Sequence, residues 1–275
     1  MQKFQIKRYR IRSEKIHSPL RLCFLTDWHA SERGLSVPFL TEMLRREKPD
    51  AVLIGGDMAT ALNFASVKTA DRLLRSISGR QPVFYARGNH ETRLYQSART
   101  HARFMEYEKR LTSCGVRMLD NSRAKLEVRG QAVTVYGYSV PMGYYRKPFP
   151  PSLTEGGLGR ALGTPDEKSF CILLAHTPMY ADRYFAWGAD LTLCGHYHGG
   201  VIRFDDHHGA VSPQLVPFPP YCCGDFYHGS QALITSAGLG EHGFLPGTGF
   251  SRLPLRYNNP RELVTVDLEE KRDGP

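Results

Sequence analysis

A set of acidic, amide and imidazole side chains recurs at the ends of short apolar runs. Asp27 and His29 follow "RLCFL" in "TDWHA", and Asp57 follows "AVLI" in "GGDMA". Asn89, His90 and Glu91 follow "PVFYA" in "GNHET", His176 closes "CILLAH", and His196 and His198 alternate in "GHYH" after "LTLC". Carboxylate, imidazole and amide oxygen without thiolate suit borderline divalent ions such as Mn, Fe, Zn or Ni. Taken singly, each piece has a plain reading. Asp and Gly after a strand form turns, His176 ahead of Pro178 reads equally as a core histidine, and "GHYH" as a turn. Taken in order, they describe two metals. An aspartate able to bridge, with ligands on either side, is what a pair of ions roughly 3.5–4 Å apart requires. Gly55, Gly56, Gly88, Gly195, Gly199 and Gly200 let the backbone approach such a cluster closely.

The elements that must position these groups alternate along the first half. "RLCFLTD", "AVLIGGD" and "PVFYARGNHE" read as strands, the third ending in a polar loop. Between them "VPFLTEMLRREKPD" has Phe39, Leu40, Met43 and Leu44 on one helical face with Pro49 as its stop, and "SVKTADRLLRSISG" ends at Gly79. A further helix is expected from about Ser97 to Ser113. Strand–helix repeats imply a parallel sheet covered by helices, and ligands gather beyond the carboxyl ends of such strands. From Val116 the chain turns β-rich, with turns at Asn121-Ser122 and Arg129-Gly130. "SFCILLAH", "ADLTLCGHYH", "QALITSAG" and "RELVTVDL" are the later strands, and "PMYADRYFAWG" is a short helix. No linker, repeat or low-complexity tract divides the chain, so the expectation is a single domain, 1–275, of α/β class. Its core is two mixed β-sheets packed as a sandwich and flanked by helices.

Composition sets bounds on function. With 41% hydrophobic residues in a chain of 275, a sizeable core is buried without staples of disulfide or structural metal. Cys23, Cys171 and Cys194 lie in apolar runs, no CxxC spacing occurs, and Cys222-Cys223 reads as a loop pair. The basic N-terminus lacks an apolar h-region and no stretch approaches a membrane span, which leads to the expectation of a cytoplasmic protein. A formal charge of +9 points to anionic partners, but the basic residues are scattered, which argues against nucleic acid. Lys3, Lys7, Arg8, Arg10 and Arg12 read as a charged edge strand, or as a patch against anionic headgroups. Two loops, "YSVPMGYYRKPFPPSL" and "SPQLVPFPPYCCGDFYHGS", are rich in proline and aromatics. They read either as a cleft beside the metals or as covers for sheet edges.

The ordered series "DWH", "GGD", "GNHE", "AH" and "GHYH" resembles the signature of calcineurin-like metallophosphoesterases. The tail "HGGVIRF … ITSAGLG … LPLRYNNPRELVTVDL" further resembles the YkuE-like bacterial phosphodiesterase branch, with Arg261 inserted in the ending. The resemblance implies the αββα calcineurin-like fold and two divalent ions. Asp27, His29 and His198 would hold one, Asn89, His176 and His196 the other, and Asp57 would bridge them. It implies hydrolysis of a phosphodiester or pyrophosphate bond by in-line attack of a metal-bridging hydroxide. His90 would face the phosphate and assist the leaving oxygen, with Glu91, where the family often has aspartate, orienting it. Trp28, at a position where smaller residues are common, would wall the pocket. The expected substrate is a phosphate-containing small molecule or a lipid-linked compound. The sharper alternative is a lipid-linked nucleotide-sugar pyrophosphatase peripheral to the inner membrane, in contact with its anionic face. From another class, the alternative is a non-catalytic metal-supported binding scaffold.

Overall fold

The computed structural model describes residues 4–32, 35–148, 150–240 and 256–271. Its first sheet is built from β1 (Phe4–Ser13), β2 (Leu20–Leu25), β3 (Ala51–Ile54), β4 (Val83–Ala86), β5 (Val116–Leu119) and β12 (Arg261–Glu270). Their order is β1-β12-β2-β3-β4-β5, with only the β12–β2 pair antiparallel. The second sheet takes β6 (Ser122–Val128), β7 (Gln131–Tyr138), β8 (Phe170–Ala175), β9 (Leu191–Cys194), β10 (Gly224–His228) and β11 (Gln231–Thr235). Its order is β10-β11-β9-β8-β7-β6, parallel through its centre and antiparallel at both edges.

Strand alternation builds the layers, because successive side chains point to opposite faces of a sheet. Leu22 and Phe24 of β2 meet Ile172 and Leu174 of β8 in the core between the sheets. Cys23 and Leu25 instead face outward. There they join Leu40 and Leu44 of α1 (Val37–Glu47), Leu73 and Ile77 of α2 (Ala65–Ser78), and Phe104 and Leu111 of α4 (His101–Ser113). On the far side, Cys171 and Leu173 pack with Leu158 of α5 (Gly157–Leu162) and Tyr184 of α6 (Ala181–Trp187). The result is the expected αββα sandwich of two mixed sheets.

Some local expectations shift. The helix α1 ends at Glu47, two residues before Pro49, and its C-cap Lys48 turns left-handed at φ 49 and donates its N–H to Leu44 O. Phe39 leaves the buried face of α1 and sits edge-on to Phe4 at 5.2 Å. The residues after β4 form a helix rather than a polar loop, α3 (Asn89–Gln96), followed separately by α4. The segment is too polar to show an apolar stripe, and Gly88 at its N-cap is the turn that admits it.

The basic N-terminal strand is a sheet edge. Lys7 pairs with Asp206 at 2.8 Å, Arg8 with Glu47 at 2.6 Å, and Arg10 and Arg12 with Glu269 at 2.9 and 3.6 Å. Lys3 lies outside the described residues. Among those residues, no helix is long and apolar enough to cross a membrane.

Candidate metal centre

The strand ends deliver their polar residues to one place because the loops after them are stitched together by backbone bonds. After β2 and β3, Asp27 N donates to Gly56 O at 3.0 Å and His29 N to Asp57 O at 2.9 Å. After β8 and β9, Gly195 N donates to His176 O at 2.8 Å. The two sheets are then joined by Asp27, whose Oδ2 accepts from His196 N at 2.8 Å and from Thr26 Oγ1 at 2.9 Å. Asp27, His29, Asp57, His196 and His198 all hold positive φ, between 48° and 68°. Left-handed backbone costs roughly 1–2 kcal/mol for a residue with a Cβ. Strain concentrated in this way on polar positions, four of them buried and His29 half-buried, points to a functional site.

The ligand-type atoms converge in overlapping sets. Asp27, His29 and His198 form one, Asp57, His176 and His196 another, and His29, Asp57 and His90 a third, each with its atoms within 4.8 Å of one another. His198 Nε2 lies 3.4 Å from Asp27 Oδ1 and 3.4 Å from His29 Nε2. His176 Nε2 lies 3.2 Å from Asp57 Oδ2 and 3.8 Å from Asp27 Oδ1. Asn89 occupies the first position of α3, one residue before His90, and is buried.

These residues fit divalent ions. Asp27 Oδ1, Asn89 Oδ1 and His176 Nε2 are buried and have no hydrogen-bond partner, an expensive state for polar atoms unless something coordinates them. His176 Nδ1 donates to Gly55 O at 2.7 Å, because a carbonyl only accepts, so in the neutral ring the Nε2 lone pair faces the two aspartates. Burial would raise the Asp57 carboxyl, but His176 and His90 hold it well below the usual range. Burial pushes Asp27 up, with Asp57 adding to the effect. His176 is raised to about 10: burial opposes its charge, but Asp57 and Asp27 outweigh it. Two buried carboxylates here demand positive charge. The glycines serve the same end, since a Cβ on Gly88 would strike the Asp57 carboxylate and one on Gly195 that of Asp27.

His90 and Glu91 divide their work differently from the expectation. Glu91 does not meet His90. Its Oε2 accepts from Asp57 N at 2.7 Å and Gly88 N at 3.0 Å, and its Oε1 from Tyr85 Oη at 2.8 Å and Ala59 N at 3.2 Å. At the third position of α3 its side chain points back to the helix N-terminus, toward the loop that carries Asp57, and away from its neighbour's ring. The partner that orients His90 is backbone: Ala61 N donates to Nδ1 at 2.9 Å. That bond requires a lone pair on Nδ1, so the neutral ring carries its proton on Nε2, 3.9 Å from Asp57 Oδ2. Burial lowers the His90 pKa against the pull of Asp57, which favours the neutral ring. Trp28 is also displaced from its expected role. It is fully buried in the outer helix layer, and its Nε1 donates to Leu35 O at 3.1 Å.

Against known proteins, the pattern described as Calcineurin-like phosphoesterase matches residues 20–200, the stretch from β2 through the second glycine after "GHYH". The chain belongs to the calcineurin-like phosphoesterase family. It is similar to phosphodiesterase YaeI of Escherichia coli (strain K12), 27% identical over 279 residues that cover 96% of this chain and 88% of that protein. It is also similar to the uncharacterized metallophosphoesterase YkuE of Bacillus subtilis (strain 168), 29% identical over 117 residues, 39% of this chain and 37% of that protein. Among solved structures it is similar to the phosphopantetheinyl hydrolase PptH of Mycobacterium tuberculosis. The two are 14% identical with a TM-score of 0.48, covering 82% of this chain and 91% of that one.

Several residues around this phosphoesterase centre carry no motif. Both proline- and aromatic-rich loops reach it. Tyr145, from the first, sets its ring edge on His196 with centroids 5.0 Å apart, and Gln214, from the second, contacts His196 Nε2. The only signal for either in the sequence was the odd composition of their loops. Arg93 and Lys147 lie close enough to His90 to oppose its protonation, and their exposed side chains form no ion pair among the described residues. The C-terminal segment buttresses the "GHYH" turn from below. Asn259 Nδ2 donates to His198 O at 2.5 Å, and Arg203, four residues after Gly199, pairs with buried Glu262 at 2.5 Å. Of the Pro254-Leu255-Arg256 stretch only Arg256 is described, and its Nη2 donates to Ala237 O at 2.6 Å. Gly199 and Gly200 take φ 67° and 71°, which turns the chain away from the cluster.

Proposed function

We propose that this chain hydrolyses a phosphodiester or pyrophosphate bond with two divalent ions. The observation that carries the reading is the place of Asp57, shared between the His176 and His196 set and the His29 and His90 set. Asp27, His29 and His198 would hold one ion, Asn89, His176 and His196 the other, and Asp57 would bridge them. When bound, such a pair supplies Lewis acidity toward a phosphoryl oxygen and lowers the pKa of a shared water. The chain's own groups do the rest. Asp27 anchors one carboxylate oxygen on His196 N and Thr26 and presents the other to the cluster. His90, neutral and held at Nδ1 by Ala61 N, offers its Nε2–H to the departing oxygen. Arg93 and Lys147 favour an anionic substrate with charge beyond the scissile phosphate. No covalent phospho-enzyme is needed. The diesterase branch draws support from similarity to phosphodiesterase YaeI along 96% of this chain.

A narrower reading, a lipid-linked nucleotide-sugar pyrophosphate at a membrane face, draws on one observation. Ile202, Phe204, Leu215, Phe218 and Tyr257 are exposed apolar residues on segments after "GHYH", with Phe204 stacked on Phe218 and Ile202 bridged to Tyr257. Metal-reconstituted protein assayed on paired aryl phosphate mono- and diesters tests the broader proposal. Diester preference is expected, and a clear monoester preference would overturn it. Faster hydrolysis of a pyrophosphate diester in detergent micelles than of a tail-less analogue is the result the narrower reading requires.

A further inference from the structure

We infer that Gln214 is a positioning residue for the metal centre: its amide oxygen accepts the Nε2–H of His196 and so fixes the ring tautomer that presents Nδ1 to an ion. This rests on reading His196 as a ligand.

Gln214 is 1% exposed and His196 6%, so neither can settle its polar atoms on bulk water. The amide meets His196 Nε2 directly, and at the other end Oε1 is buried with no hydrogen-bond partner. In one orientation the amide NH2 meets Nε2 and donates to it. That pairing uses the Nε2 lone pair and places the ring proton on Nδ1, so a neutral His196 would have no lone pair left for a metal. The two ends of a glutamine amide are distinguished only by their hydrogen bonds. Turning the amide over puts Oε1 on Nε2, gives the orphaned oxygen a donor, and puts the proton on Nε2. Nδ1 is then the ring nitrogen that meets the ion. A histidine ligand held through its other nitrogen by a fixed acceptor is the arrangement that orients metal-bound rings and raises their basicity.

The surroundings make Gln214 a rigid acceptor rather than a passing contact. Its turn is closed by Leu215 N donating to Ser212 O at 2.9 Å and by Ser212 N donating to Val216 O at 2.9 Å, with Ser212 fully buried. The His196 ring is confined by Tyr145 at 5.0 Å and His176 at 5.0 Å, and its backbone N–H is committed to Asp27. With the ring plane set by its neighbours, the tautomer is the freedom that remains, and Gln214 removes it.

The test is metal affinity together with a direct view of the tautomer. Wild type, Q214L and Q214E are titrated with Co(II) against a competing chelator, and zinc-loaded protein labelled with 15N-histidine reports which ring nitrogen of His196 is protonated. The account expects Q214L to bind one of the two ions about 10–100-fold more weakly and the other unchanged. It expects Q214E, which keeps an acceptor, to recover to within a few-fold of wild type, and an Nε2–H signal for His196 in wild type and Q214E. If Q214L does not fold, Q214N replaces it; its amide is one methylene short, and the same weakening is expected. Unchanged affinity for both ions in Q214L, equal losses in Q214L and Q214E, or an Nδ1–H tautomer in the loaded wild type would each overturn the inference. A wild-type protein that takes up fewer than two ions would instead overturn the reading beneath it.

Discussion

Replacing Glu91 with glutamine separates a residue that holds the loop from one that tunes the catalytic imidazole. Each carboxylate oxygen of Glu91 accepts two bonds, Oε2 from Asp57 N and Gly88 N, Oε1 from Ala59 N and Tyr85 Oη, and the side chain is fully buried. A glutamine NH2 at either end faces two donors with a donor of its own. Each buried donor left without an acceptor costs about 1–3 kcal/mol, so the pair costs about 2–6 kcal/mol, brought toward the lower end by relief of repulsion from Asp57. With a urea slope of about 2–3 kcal/mol/M, the unfolding midpoint of E91Q should fall by about 1 M. Because the Asp57 backbone is no longer held, divalent-ion affinity should fall as well. The pH dependence of the remaining activity should keep its shape, since Glu91 does not touch His90. A native urea midpoint with a displaced pH–rate profile would refute this reasoning and restore Glu91 as the partner of His90.

His90→Ala should lower turnover by about 10²–10⁴-fold while two ions per chain are retained by elemental analysis; loss of an ion would show that His90 is a ligand. Gly195→Ala places a methyl against the Asp27 carboxylate and Thr26. Its metal content should drop even where circular dichroism shows a native fold, and full occupancy would count against the assigned place of Asp27.

Much of this architecture was legible because the strands are short, apolar and ended by polar groups. "RLCFL", "AVLI", "VFYA", "CILLA" and "LTLC" each became a strand, and their parallel arrangement carried the following residues to one region. What stayed hidden depends on contacts between distant segments. The bond between Glu91 and the Asp57 loop spans 34 positions and that between Gln214 and His196 spans 18, and no periodicity encodes either. The start of α3 is not legible in the sequence because "NHETRLYQ" lacks an apolar stripe, its helix being held by Gly88 and by Asp57 Oδ1 accepting from His90 N at 2.8 Å. Trp28 looked like a pocket wall from its place between two candidate ligands, but a bulky apolar side chain beside Met58 and Ala59 is stabilised more by the helix layer. The left-handed backbone at Asp27, His29 and Asp57 is only weakly marked by residue type, since Asp and His tolerate that region more often than most residues but do not require it.

The central claim is that Asp57 joins two ion sites into one centre. Wild type and Asp57→Asn, each stripped of metal and reloaded with Mn(II), are compared for ions bound per chain and for diester hydrolysis. The account predicts two ions and metal-dependent turnover in wild type, and loss of both paired occupancy and turnover in D57N. Two ions and full activity in D57N would contradict it.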